Sequence, residues 1–150
     1  MSKFELWVDG GGGVKGIDAY FSYMAIYKGQ VIKKVKMDRW LVKNLTPNLI
    51  PTGCVLTDKK GLATNNIAEY CALYFGLAKI KEVYDAPAVK VFQDSELVVS
   101  QVFGNPKTGK LYAVNKDWLL GWRDAIWSIL WGQVEMQWVS GNKMKQVIGH

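Results

Sequence analysis

The segment Thr-Asn-Asn-Ile-Ala-Glu, residues 64–69, joins two differently patterned halves of this chain. It opens a stretch, residues 66–83, in which apolar side chains recur at helical spacing, so Glu69 lies early in a predicted helix. Outward from this segment, Asp9 ends one apolar, strand-like run and Asp94 ends another. Carboxylates projected from two strand ends and one helix are the hard oxygen ligands that divalent metal ions prefer. The sequence therefore predicts a metal site formed by Asp9, Glu69 and Asp94.

Length and composition predict one folded domain over residues 1–150. Of these 150 residues, 49% are hydrophobic, which is enough for a core and too apolar for disorder. No apolar run approaches the roughly 20 residues that span a bilayer, and the N-terminus lacks the apolar stretch of a signal peptide. Cys54 and Cys71 have neither zinc-ligand spacing nor the density of a disulfide scaffold. We therefore expect a cytoplasmic monomer with two free thiols and no membrane contact.

The charge balance of the chain is basic. Nineteen Lys and Arg against thirteen acids give a formal net charge of +6, which favours polyanionic partners through counterion release. A basic protein that still gathers its carboxylates in one place is expected to hold a cation there.

The order of predicted elements indicates an α/β fold. The first half reads as strands, with Lys28-Gly29 as a turn and residues 39–42 either continuing the third strand or adding a short one. Residues 44–63 form a long irregular segment, either a functional loop or a covering flap. The predicted strands cover residues 3–9, 19–27, 30–36, 88–93 and 133–139, and the predicted helices cover residues 66–83, 95–103, 116–130 and the last ten. Three antiparallel strands followed by two parallel ones predict a five-stranded mixed sheet with helices on both faces.

The chain resembles the type 1 ribonuclease H family, and the similarity extends over nearly its whole length. The matching pieces are Val-Asp-Gly-Gly at residues 8–11, Thr-Asn-Asn-Ile-Ala-Glu-Tyr at 64–70, Asp-Ser-Glu-Leu-Val-Val at 94–99 and Trp-Val-Ser-Gly at 138–141. The resemblance implies a ribonuclease H-like fold and an endonuclease that hydrolyses the RNA strand of RNA/DNA hybrids. It also implies two bound Mg²⁺ or Mn²⁺ ions, and products with 5′-phosphate and 3′-hydroxyl ends.

For the three acids, the resemblance implies distinct roles at the metal site. Asp9, from the central strand, would bridge both ions, Glu69 would hold the ion near the leaving group, and Asp94 the ion that activates water. Two such ions orient the attacking water and neutralise charge on the leaving oxygen. The aspartates also have structural alternatives, because an Asp before Gly is often a turn residue and Asp94 could cap the helix that follows it.

The family's fourth acidic ligand has no acidic counterpart in this sequence. Gly149-His150 matches the family's Ala-Asp pair on the last helix, so the resemblance makes His150 a metal ligand and a catalytic residue. Asn142 and Gln146 are rival occupants of the same position. Because neutral imidazole suits Mn²⁺ better than Mg²⁺, we expect the protein to prefer Mn²⁺.

Five residues are expected to contact the hybrid. The resemblance implies that backbone groups of Gly10, Gly11, Asn65 and Asn66 reach the RNA strand across the minor groove, and that Thr64 binds a phosphate of the DNA strand. Asn65 and Asn66 also have a local alternative, which is to cap the following helix. The basic helical handle of many bacterial members is missing, so we expect weaker substrate affinity than those members have.

Two other functions are compatible with the same acids. A proofreading exonuclease or a transposase-type enzyme of the same fold shares the strand-end acids but lacks the hexamer at residues 64–69. A catalytically inactive module that only binds hybrids fits the missing fourth acid. Three clustered negative charges would oppose phosphate binding in such a module. The presence of all three acids therefore favours the enzyme.

Overall fold

The structure of the protein, a computed structural model, describes residues 4–12, 19–32 and 38–149, without the side chain of residue 38. The strands are β1 (Phe4–Gly11), β2 (Tyr20–Tyr27), β3 (Gln30–Val31), β4 (Asp38–Leu41), β5 (Val89–Gln93) and β6 (Val134–Trp138). The helices are α1 (Asn65–Tyr84), α2 (Glu96–Val102), α3 (Asp117–Ile129) and α4 (Gly141–Ile148). Short 3₁₀ helices follow β4 at Val42–Asn44 and Pro47–Leu49. Within these described residues, no helix combines the length and the apolar character that a membrane span requires.

The sheet is mixed, with strand order β3-β2-β1-β5-β6. β2 runs antiparallel to β1, β3 and β4, whereas β1, β5 and β6 run parallel to one another. β3 pairs with the C-terminal end of β2 and β4 with its N-terminal half, so both occupy the position expected for a third antiparallel strand. Residues 33–36, the end of that expected strand, lie outside the described residues. The strand positions and directions confirm the predicted α/β fold.

Helix α1 packs across one face of the sheet and forms the centre of the core. The side-chain oxygen of Thr64 caps it by accepting a hydrogen bond from the backbone nitrogen of Ile67 at 3.2 Å. Gly76 lets the helix approach the sheet closely, since a Cβ here would lie 3.1 Å from a methyl group of Val8 and 3.2 Å from one of Leu6. The side chains buried in this core include Leu6, Val8, Phe21, Leu73, Leu77, Val91, Trp122 and Ile126.

The opposite face of the sheet is covered by α4. Met144 and Ile148, one turn apart on α4, are buried in one cluster with Trp7 of β1. Trp7 also stacks on Phe92 of β5, with ring centroids 4.1 Å apart. Helices therefore lie on both faces of the sheet, as predicted.

The segment between β4 and α1 covers α3. Trp122 of α3 is fully buried, and its indole nitrogen donates a hydrogen bond to the carbonyl oxygen of Val55 at 2.8 Å. At Gly121, an added Cβ would lie 2.8 Å from the carbonyl carbon of Gly53, so the segment and the helix touch backbone to backbone. These contacts favour a covering flap over a functional loop as the interpretation of residues 44–63.

Candidate metal centre

Two aspartates lie side by side at one end of the sheet. In the parallel pairing of β1 with β5, Val8 lies opposite Gln93, so the residues that follow, Asp9 and Asp94, are also neighbours. Asp9 is paired with Ser22 inside the β1–β2 ladder, which excludes the alternative that Asp9 is only a turn residue. One oxygen of the Asp9 carboxyl group lies within 4.8 Å of one of the Asp94 carboxyl group, so both side chains leave the same face of the sheet.

Glu69 reaches the two aspartates from α1 because Gly10 lets that helix touch β1. A Cβ at Gly10 would lie 2.6 Å from the carbonyl oxygen of Ala68, and closer still to the backbone nitrogen of Glu69, so only glycine fits. One carboxylate oxygen from each of Asp9, Glu69 and Asp94 then lies within 4.8 Å of the other two. The structure thus brings together the three acids that the sequence predicts as metal ligands.

Two hydrogen-bond donors fix the carboxylate of Glu69, which is only 3% exposed. The backbone nitrogen of Gly10 donates to Oε1 at 2.9 Å, and Nε2 of Gln93 donates to Oε2 at 3.2 Å. The same Nε2 also donates to the backbone oxygen of Glu69 at 3.2 Å. Both oxygens of this carboxylate are therefore held in place before any ligand binds.

Gln93 is a site residue that the sequence motifs do not reveal. It is fully buried, and its Oε1 has no hydrogen-bond partner within the part of the chain that the structure describes. A signal for it does exist in the sequence: Val89, Val91 and Gln93 alternate along β5 and so face the same side. A polar residue at such an inward position indicates a partner in the core.

Burial and mutual repulsion raise the pKa values of the acids. Loss of hydration, and then the negative charge of Asp94, raises the pKa of Asp9 from 3.8 to about 7. Burial also raises the pKa of Glu69 well above its ordinary value, and the charges of Asp94 and Asp9 add to the effect. The trio is therefore fully ionised at neutral pH only when positive charge lies beside it. Three oxygen donors with this requirement fit a hard divalent ion such as Mg²⁺ or Mn²⁺.

Asp94 does not cap α2, contrary to the structural alternative. The cap is Ser95, whose side-chain oxygen accepts a hydrogen bond from the backbone nitrogen of Val98 at 3.3 Å. The backbone oxygen of Asp94 accepts a hydrogen bond from the indole nitrogen of Trp138 at 3.1 Å. The Asp94 carboxyl group is thus left to the cluster with Asp9 rather than to the helix.

The predicted fourth ligand, His150, lies outside the described residues. Its rivals, Asn142 and Gln146, are on α4, and the first residue of that helix borders the acids. A Cβ at Gly141 would lie 3.6 Å from Oδ2 of Asp94. The start of α4 therefore adjoins the three acids, and the fourth ligand stays a prediction.

The two glycines predicted to contact substrate have different environments. Gly10 is buried, and its N–H is bonded to the Glu69 carboxylate, so that donor serves the acids. Gly11 is partly exposed and lies against the ring of Tyr20, since an added Cβ would be 2.8 Å from Cζ of that ring. Gly11 therefore has the more accessible backbone of the two.

The other three predicted substrate residues lie at the start of α1, beside the end of β1. Asn65 is exposed, whereas Thr64 and Asn66 are partly exposed. A Cβ at Gly12 would lie 3.4 Å from Cβ of Asn65, so these two elements meet here. The cap of α1 is Thr64, so the alternative in which Asn65 or Asn66 caps the helix is wrong. The structure thus gathers all five predicted substrate residues at the acidic end of the sheet.

Comparison with known proteins assigns the fold. The sequence matches no protein-family model and no curated protein. Among solved structures, RNase H1 from the halophilic archaeon Halobacterium salinarum NRC-1 is 19% identical, with a TM-score of 0.70 over 95% of this chain and 89% of that one. The chain has the ribonuclease H fold. LC11-RNase H1, isolated from compost and solved in complex with an RNA/DNA hybrid, shares the ribonuclease H fold at 22% identity, with a TM-score of 0.70 over 96% of this chain and 90% of that one. The N-terminal RNase H domain of a Mycobacterium tuberculosis protein is similar at 21% identity, with a TM-score of 0.67 over 95% of this chain and 90% of that one.

Proposed function

We propose that this protein is a metal-dependent endonuclease that hydrolyses the RNA strand of RNA/DNA hybrids and leaves 5′-phosphate and 3′-hydroxyl ends. The observation that carries the proposal is the convergence of Asp9, Glu69 and Asp94 within 4.8 Å. Three carboxylates at this spacing oppose both their own ionisation and the approach of a phosphate unless cations lie among them. The ribonuclease H fold, and the hybrid bound to LC11-RNase H1, support this choice of substrate.

Asp9, Glu69 and Asp94 would hold two divalent ions, Mg²⁺ or Mn²⁺. When bound, such ions acidify a coordinated water and stabilise negative charge on the reacting phosphate. Glu69 keeps its orientation because the donors on Gly10 and Gln93 hold both of its oxygens. Asp9 and Asp94 are only partly buried, so water and a phosphodiester can reach them. The protein thus supplies preorganised acceptors at an accessible end of the sheet.

Gly11, Thr64, Asn65 and Asn66 are proposed to contact the hybrid beside the acids. The side-chain amides of the two asparagines can hydrogen-bond the 2′-hydroxyl groups that distinguish RNA from DNA. The Thr64 hydroxyl accepts a hydrogen bond from Ile67 and still has its own O–H to donate to a phosphate oxygen. The net charge of +6 supports a polyanionic partner.

Cleavage of a labelled RNA/DNA hybrid in Mg²⁺ or Mn²⁺ tests this proposal. We expect the wild-type protein to cut the RNA strand internally, also in a circular hybrid without ends, and to leave double-stranded DNA intact. We expect faster cleavage in Mn²⁺, because the sequence offers no acidic fourth ligand. Asp94→Asn should lower kcat by about a hundredfold or more and still bind the hybrid. Glu135→Gln, which removes an exposed carboxylate from β6, should leave the rate unchanged.

Two results would contradict the proposal and point to the alternatives. Binding of hybrids without cleavage by the wild type in either metal would favour an inactive binding module. Cleavage only of hybrids that have free ends would favour an exonuclease of the same fold.

A further inference from the structure

Three residues form one row across the sheet beside the acids. In the antiparallel ladders, Asp9 of β1 is paired with Ser22 of β2, and Ser22 with Arg39 of β4. Paired residues project from the same face, so Arg39 leaves the sheet on the side of Asp9. Adjacent strands lie about 4.8 Å apart, which puts the Cα atom of Arg39 roughly 10 Å from that of Asp9.

The guanidinium group of Arg39 is held over an aromatic ring. Its Cζ lies 3.8 Å from the ring centroid of Tyr20, a residue of β2 on the same face as Ser22. The Tyr20 ring in turn packs against Gly11, two residues after Asp9. Stacking fixes the plane of a guanidinium and leaves its N–H groups directed outward along that plane. The ring therefore holds these donors on the face of the sheet that carries Asp9.

The charge of Arg39 is accessible to a ligand. Arg39 is exposed. Among the side chains that the structure describes, no carboxylate forms an ion pair with Arg39. The best partner for such a planar set of donors is a carboxylate or a phosphate, because both can accept two parallel hydrogen bonds.

We propose that Arg39, stacked on Tyr20, forms a binding site for a backbone phosphate of the nucleic acid. This inference rests on the proposed function, because it places the phosphate on the strand whose phosphodiester lies at Asp9, Glu69 and Asp94. Successive phosphates of one strand advance by about 3.4 Å along the helix axis. Because the strand also winds around that axis, the direct distance between successive phosphates is longer than this rise, so a separation of roughly 10 Å corresponds to a phosphate within about three nucleotides of the bond that is cut.

Salt-dependent binding of a hybrid tests this site, with a matched control in the turn beyond the far end of β2. Lys28, exposed in the turn after β2, lies over the ring of Tyr27 at 5.2 Å, and Tyr27 is roughly 24 Å from Tyr20 along the strand. Arg39→Gln and Lys28→Gln each remove one positive charge from beside a tyrosine ring. Both changes are made in the Asp94→Asn background, so that the hybrid stays intact.

We expect Arg39→Gln to weaken hybrid binding about tenfold and Lys28→Gln to leave it within about twofold, as measured by fluorescence anisotropy. The slope of log affinity against log salt should decrease by roughly 0.7–0.9 for Arg39→Gln only, because one phosphate contact is lost. Arg39→Lys should keep the slope and lose part of the affinity, since it retains the charge without the planar group.

A series of hybrids with single neutral methylphosphonate linkages then locates the phosphate. At the linkage that Arg39 contacts, a neutral methylphosphonate should lower the affinity for the hybrid about tenfold when Arg39 is present. The same linkage should leave the affinity of Arg39→Gln almost unchanged. Equal affinities and salt slopes for Arg39→Gln and its background would overturn the inference. So would affinity losses from Arg39→Gln and from the neutral linkage that are simply additive at every position. Neither result would contradict the proposed nuclease activity. A wild-type protein that neither binds nor cuts hybrids would overturn both.

Discussion

Gln93 forms hydrogen bonds that its buried neighbours on β5 cannot form. Val89, Val91 and Gln93 are all fully buried, but only Gln93 carries donors, and these hold Glu69. Its Oε1 is buried without a partner among the described residues, which costs about 1–3 kcal/mol. A side chain kept in the core at that cost serves the geometry of the acids rather than the stability of the sheet.

Replacing Gln93 with Leu should weaken Mn²⁺ binding by roughly ten- to a hundredfold. The reason is that a hydrogen bond to a charged group contributes about 1.5–3 kcal/mol. Titration calorimetry measures the change, and Gln137→Leu on the exposed side of β6 is the matched control. Equal affinities for Gln93→Leu and the wild type would show that Gln93 does not position Glu69.

The raised pKa of Asp9 makes the stability of the metal-free protein depend on pH. Its pKa is about 7 in the folded protein against an ordinary value of 3.8, so between these values the folded state binds more protons than the unfolded state. The free energy of unfolding therefore falls as the pH rises from about 4 to about 7, and the loss is complete above that range.

In EDTA at pH 8, Asp9→Asn should accordingly melt a few degrees higher than the wild type. This difference in melting temperature should become smaller as the pH is lowered toward 4. In saturating Mn²⁺ the wild type should melt at the higher temperature of the two, because only the wild type keeps the complete set of metal ligands. Thermal unfolding followed by circular dichroism provides both comparisons. A wild type that is the more stable of the two in EDTA at pH 8 would contradict the assigned repulsion.

At the scale of elements, the site depends on the contact between α1 and β1 at Gly10. A Cβ there would enter the backbone of α1 at Ala68 and Glu69, whereas at Gly132 an added Cβ would meet nothing within 4 Å. Gly10→Ala should therefore lower the free energy of unfolding by about 1–3 kcal/mol and weaken metal binding. Gly132→Ala should change stability by less than about 0.5 kcal/mol. Urea unfolding compares the two variants. Equal free energies of unfolding for Gly10→Ala and Gly132→Ala would mean that the close contact of α1 with β1 does not require glycine at position 10.

The order of elements was predictable from local pattern, whereas contacts between elements were not. Apolar, strand-like runs predict β1 and β5, and apolar residues at helical spacing predict α1, from the sequence alone. The pairing of Arg39 with Ser22 depends on the register of β4 on β2, which no local pattern specifies. The stacking of Arg39 on Tyr20 therefore became visible only in the structure.

The candidate site was likewise predictable only where it depends on local sequence pattern. Asp9 and Asp94 were predictable because a strand end directs a side chain to the edge of the sheet, and Glu69 because it begins a helix. The capping role of Thr64, in place of Asn65 or Asn66, depends on the exact residue at which α1 begins, and helix ends are poorly specified by sequence.

At the scale of the whole molecule, a basic protein carries an acidic centre at one end of its sheet. The net charge of +6 attracts a polyanion over long distances, while the three carboxylates repel phosphate locally. Bound divalent ions would remove that conflict, since they convert the repulsive centre into the point of attachment. Metal binding is therefore the property on which the proposed activity depends.

Calorimetric titration of Mn²⁺ into the wild type, Glu69→Gln and Glu82→Gln tests this dependence most directly. Both glutamates lie on α1, 13 residues apart in sequence, or about 20 Å along the helix. Each substitution removes one negative charge, but Glu82 is exposed and remote from the acids. We predict equal affinities for the wild type and Glu82→Gln, and a loss of about a hundredfold or more for Glu69→Gln. Absence of binding by the wild type, or equal binding by all three proteins, would contradict the metal centre.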